Sequence, residues 1–124
     1  MKKYSEADLW KYVAELGWGS KSTDYKSMQK GLQTKSKNFQ EQFAAFVRRK
    51  KDKVSKIIND FEDEIGMGTK IPHPYSDDGF MDLTAHIVGL GKKEFDRVCK
   101  SPALAIERAN DDAYEECFLY VLQS

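Results

Sequence analysis

Cysteine is almost missing: Cys99 and Cys117 are the two in 124 residues. Two thiols build no disulfide scaffold. They are also too few for a structural zinc site, and neither His73 nor His86 stands at a spacing that would complete one. No apolar run approaches the ~18 residues of a membrane span. The opening Met1-Lys2-Lys3-Tyr4-Ser5-Glu6 leads into no secretory apolar stretch of about 7–15 residues. A cytoplasmic protein without membrane attachment is therefore expected. There is no Walker-type loop and no Gly-x-Gly-x-x-Gly, and the alternating ligands and closing Glu of an EF-hand are lacking. The expectation is no cofactor, no metal and no catalytic residue. Strand signals are missing too: no sustained period-2 alternation, and no Asn-Gly or Asp-Gly joining two apolar runs.

What remains is helix. The composition is 40% hydrophobic and 32% charged, with 2 Trp, 6 Tyr and 7 Phe, which suits one globular core. A chain this long buries roughly two thirds of its unfolded surface on folding and needs no metal or disulfide for it. The expected fold is all-α: a single compact domain over residues 1–124, with six to seven helices around one long central helix at about 39–65. No repeat of helical-solenoid length is visible.

The first helix is predicted at about 6–16. Ser5 caps it with Asp8 in the reciprocal position, Leu9, Tyr12, Val13 and Leu16 form its stripe, and Gly17 stops it. A second, at about 23–35, has a narrow edge of Tyr25, Met28 and Leu32, with Gly31 inside it. The central helix opens on an Asn38/Glu41 capping pattern. Its apolar residues from Phe39 to Ile65 fall in a sector of roughly 120°. Phe43, Phe46, Ile57 and Phe61 are expected among the most buried side chains. Lys50 interrupts that face. Either its stem covers apolar surface while its head reaches water, or the helix kinks near 50–53.

Residues 66–75 carry two glycines and two prolines and read as a loop. Ser76 then caps a helix at about 77–89, with Asp77 and Asp78 in the dipole-favoured first turn. Helices at about 92–100, 102–108 and 112–122 complete the chain, with Cys99 and Cys117 on inner faces.

Charge is balanced overall and segregated along the chain. Residues 1–57 hold 14 Lys+Arg against 6 Asp+Glu, and residues 58–124 hold 6 against 14. Either the halves neutralise each other on folding, or each presents a surface to an oppositely charged partner.

The chemistry-bearing candidates are few. The acidic turn Ser76-Asp77-Asp78-Gly79-Phe80 suits a cation or a basic partner, although capping alone explains its residues. Asp82 and His86, four apart, are read on the polar face of their helix, where a carboxylate can orient an imidazole; no Ser or Cys nucleophile accompanies them. The run Arg48-Arg49-Lys50-Lys51-Asp52-Lys53 suits phosphates, but it lacks interleaved aromatics and also reads as the solvated face of a long helix.

The stretch from Ser76 onward resembles the bacterial family designated domain of unknown function 4240. Ser76-Asp77-Asp78-Gly79-Phe80 opens one helix, Gly91-Lys92-Lys93-Glu94-Phe95 opens the next, and Pro102-Ala103-Leu104 and an aromatic final helix from Tyr114 to Leu122 follow. Leu9-Trp10 is similar to the family's aromatic opening. The likeness is concentrated in residues 76–106. Tyr75 stands where the family usually has Cys, Thr84 where it has Arg and His86 where it has Trp. The resemblance implies an all-helical fold and carries no established activity.

These features favour a protein-binding module, most concretely an immunity-type inhibitor that neutralises a basic bacterial toxin partner. Its expected contacts are Glu62, Asp63 and Glu64, then His73, Tyr75, Asp77 and Asp78, and finally Asp111, Asp112, Glu115 and Glu116. The rival readings are an enzyme or ligand-binding domain built on residues 76–80 and His86, and nucleic-acid contact through residues 48–53.

Overall fold

Five α-helices and two short 3-10 segments make up the described part of the chain, in a computed structural model. The structure describes residues 3–18, 25–65, 77–105 and 118–122; within these, residues 61–65 and 77–82 are described as backbone only. The helices are α1 (Glu6–Leu16), α2 (Tyr25–Gln33), α3 (Lys37–Ile65), α4 (Asp77–Gly89) and α5 (Lys92–Lys100). The 3-10 segments are Pro102–Leu104 and Phe118–Leu122. No strand occurs among the described residues, and the all-α expectation holds.

Local chemistry sets most of the boundaries. Ser5 Oγ accepts from the Asp8 N–H at 3.1 Å, and Asp8 Oδ2 accepts from the Ser5 N–H at 3.3 Å. This reciprocal pair occupies two amides that the first turn of α1 leaves without helical partners. Gly17 ends α1 at φ 69°, a left-handed position that glycine takes without a Cβ clash.

The central helix starts two residues earlier than expected. Its cap is Ser36, whose Oγ accepts from the Phe39 N–H at 3.1 Å. Asn38, the expected cap, lies inside the first turn and accepts from Gln42 Nε2 at 2.9 Å. Two polar residues competed for one role, and the serine matched the turn that packing selects. No break occurs near 50–53. The Lys50 side chain is 12% exposed, and its ammonium reaches Glu6 Oε1 at 3.0 Å over the rings of Phe46 and Phe95. Its stem thus covers apolar surface, and α3 continues unbroken past it.

One cluster of buried side chains runs through the described elements. Phe43, Phe46, Val47, Val54 and Ile58 of α3 are inaccessible to solvent. Ile57 is only half-buried, a correction to its expected place in the core. Its direction on the helix lies within the apolar sector, so burial along α3 depends on which elements pack at each level and not on periodicity alone. Phe61 was also expected there, and its side chain lies outside the described residues.

The chain's aromatics zip α1 onto α3. Tyr12 meets Phe39 and Phe43 edge-on at 5.1 and 5.0 Å, and Trp10 meets Phe46 edge-on at 5.0 Å. Trp10 also touches Phe95 of α5 at 5.3 Å, so one indole joins three helices. Helix α4 packs on α3, on α5 and on the segment Phe118–Leu122. That segment is 3-10, not the α-helix expected through 112–122; Phe118 and Val121, three apart, are its buried residues. Of the helix expected at 102–108, Pro102–Leu104 is a 3-10 segment running into helical Ala105, and 106–108 lie outside the described residues.

Candidate functional site

The residues singled out for a partner all fall where side chains are not described. Glu62, Asp63 and Glu64 lie in the last turn of α3, and Asp77 and Asp78 lie in the first turn of α4, each by backbone position. His73, Tyr75, Asp111, Asp112, Glu115 and Glu116, like the expected cap Ser76 and the thiol Cys117, lie outside the described residues.

His86 requires a correction. It is not on a polar face: from Leu83 to Val88 every residue of α4 is fully buried. Neighbours surround this half of the helix, so the i, i+4 periodicity that assigns a polar side has no solvent to point to. The His86 Nδ1 accepts a hydrogen bond from Trp18 Nε1–H at 2.8 Å. Accepting there requires Nδ1 to be unprotonated, which places the ring proton of the neutral form on Nε2. Phe118 closes the site with its ring 5.0 Å from Trp18. Gly89 lies beneath both: a Cβ there would stand 2.7 Å from Trp18 Cδ1 and 2.9 Å from Phe118 Cδ1. Sequence reasoning missed this junction. The nearest signal was Trp18 directly after a helix-stopping glycine.

Cys99 is half-buried, and burial pushes its thiol above the ordinary range; Lys53 and Lys50 nearby offset part of that rise. A raised thiol pKa means little thiolate at neutral pH, so Cys99 is a poor nucleophile.

A groove of about 510 Å³ lies between α1 and the α2–α3 turn. Tyr4, Tyr12 and Phe39 line it together with Asp8, Lys11 and Lys35. Burial raises the Tyr12 phenol pKa, and the Glu15 carboxylate adds to the rise. Lys35 Nζ sits 5.4 Å over the Tyr12 ring. The groove is wide open, and its charges have mixed sign.

The basic stretch of α3 is well described. Arg48, Arg49 and Lys53 are exposed, while Lys50 and Lys51 are half-buried. Glu6 bridges Arg49 and Lys50, both at 3.0 Å, which holds its carboxyl below the ordinary range; the Lys50 hydrogen bond is the largest cause. Lys51 pairs with Asp52 at 3.0 Å. Further along, Lys56 pairs with Asp60, Lys92 with Asp96 and Arg97 with Glu94. These described pairs stay within one half of the chain, except Lys56–Asp60, which is a one-turn contact inside α3.

Among the described residues no group of three or more His, Cys, Asp or Glu could hold a metal ion, and no helix is long and apolar enough to cross a membrane. No protein-family model matches the chain, and it matches neither the curated proteins nor the solved structures.

Proposed function

We propose that this chain is a protein-binding module of the immunity type, one that neutralises a basic protein partner through its acidic second half. The observation that carries the reading is the segregation of charge along the chain: residues 1–57 hold 14 Lys+Arg against 6 Asp+Glu, and residues 58–124 hold 6 against 14. An acidic half supports a partner of opposite charge, where complementarity speeds encounter. The described carboxylates of that half, Asp60, Glu94 and Asp96, pair within about one turn of their own helices. The burial of His86 weighs against the ligand-binding alternative, since a solute would have to displace Trp18 to reach it. Kinship with the domain of unknown function 4240 family is proposed alongside, on the motifs of residues 76–106.

The test is capture of a partner from the native source, followed by binding kinetics on the purified pair. Association should slow steeply with salt, because exposed charges are screened within ~8 Å at physiological ionic strength. Reversing Glu62, Asp63 and Glu64 should lower the on-rate, and Tyr75→Ala should raise the off-rate. Salt-independent kinetics, or tight binding of nucleic acid through Arg48, Arg49, Lys51 and Lys53, would defeat the reading.

A further inference from the structure

One flank of α3 carries a charge order whose ends complement each other when reversed. At 100° per residue, positions 49, 53, 56, 60 and 64 fall within a sector of roughly 80° that borders the buried stripe, its middle turned about 100° from the stripe's centre. They read Arg49, Lys53, Lys56, Asp60 and Glu64: three cations, then two anions. Lys53 is exposed, and the side chains of Lys56 and Asp60 are 79% and 64% exposed. Arg49 is 57% exposed beside Glu6. Glu64 enters by its register position alone.

We infer that a second copy of this chain docks here, with the two α3 helices antiparallel about a twofold axis between residues 56 and 57. That register sets Lys53 of each copy opposite Asp60 of the other, and Arg49 opposite Glu64. It is an isologous contact, in which one patch serves both sides. Helix axes ~8–10 Å apart are within reach of these side chains. Asp60, held by its own Lys56 at 3.2 Å, gains Lys53 of the other copy as a second cation. Lys56 and Ile57 fall on either side of the axis, so the aliphatic stem of each Lys56 lies opposite the half-buried Ile57 of the other copy. A partner of uniform charge fits the stripe less well: a phosphate backbone attracted by Arg49 and Lys53 meets Asp60 and Glu64 at the other end. The chain's formal net charge of +0 removes the long-range repulsion that would keep two copies apart. The inference shares Glu64 with the acidic contacts proposed above but does not rest on that reading, since the purified chain alone tests it.

Sedimentation equilibrium of that chain should give a dimer at low salt that dissociates as the screening length shortens from ~30 Å at 0.01 M to ~3 Å at 1 M. Lys53→Glu and Asp60→Lys should each yield monomer under the low-salt condition, and the double variant should restore the dimer. Helical circular dichroism of each variant confirms that it is folded. On oxidation, Lys56→Cys should form an intermolecular disulfide across the axis, and Arg48→Cys, which points well outside the stripe, should not. A monomer at every salt concentration overturns the proposal. So does a dimer indifferent to Lys53→Glu, a folded double variant that stays monomeric, or equal cross-linking at positions 48 and 56.

Discussion

Each of the two tryptophans closes a corner of the core, and they do so by different physics. Trp18 is sealed inside. Its N–H is given to His86, its ring lies against Phe118, and the backbone of Gly89 leaves the space it occupies. Trp10 is sealed from outside. Phe46 and Phe95 hold its ring, and over those rings lie the cations Arg49, Lys50 and Lys53, two of them tied to Glu6. A polar pair in the interior has no water to fall back on, so its geometry is stringent. An ion pair at the rim can exchange its partner for water at little cost. The Trp18 corner should therefore be brittle and the Trp10 corner tolerant.

The hardest blow to that contrast is Gly89→Ala. On an open helix the change would help by up to ~1 kcal/mol. Here the new methyl meets two large rings at 2.7–2.9 Å, and both are buried and unable to swing out. Overpacking of this kind costs about 3 kcal/mol, which outweighs the propensity gain. Urea denaturation should show a lowered midpoint; an unchanged or raised one would mean the corner is loose.

Trp18→Phe comes next. It keeps an aromatic ring but strands the His86 acceptor, at a cost of about 2 kcal/mol. A double-mutant cycle with His86→Leu should show coupling of about 1 kcal/mol or more, since the two rings share one buried bond. Additive losses would show that the bond contributes nothing.

The smallest effect is expected at the other corner. Lys50→Met keeps the stem and removes the ammonium, for a loss of about 0.5 kcal/mol. Glu6 gives it a pH signature. Its pKa in the folded chain lies below the ordinary 4.5. The stabilisation is therefore present above that value and lost as pH falls through the lower folded value. Wild type and Lys50→Met should differ at pH 7 in low salt and converge in acid or at high salt. A difference that persists in acid would assign the loss to packing instead.

The same contrast explains what was legible in the residues. The Ser5/Asp8 pair, Gly17, and the bounds of α1, α4 and α5 depend on neighbours within one turn, and each appears as expected. The Asn38 cap did not hold, because Ser36 two residues earlier offered an equivalent oxygen. For the partner contacts, sequence supplied charge counts and order; their own side chains lie outside the described residues.

Periodicity failed at His86 for a different reason. A helix wheel assumes one wet side, and α4 has none between residues 83 and 88, because α3, α5 and the 3-10 segment surround it. A hydrogen bond between residues 68 apart in sequence leaves no local mark. The all-helical class, the long central helix and the separation of charge follow from the chain alone, because turn-length interactions and composition produce them. The burial of His86 beside Trp18, the need for glycine at 89 and the partial exposure of Ile57 were decided only when the helices packed, because each depends on which distant surfaces meet.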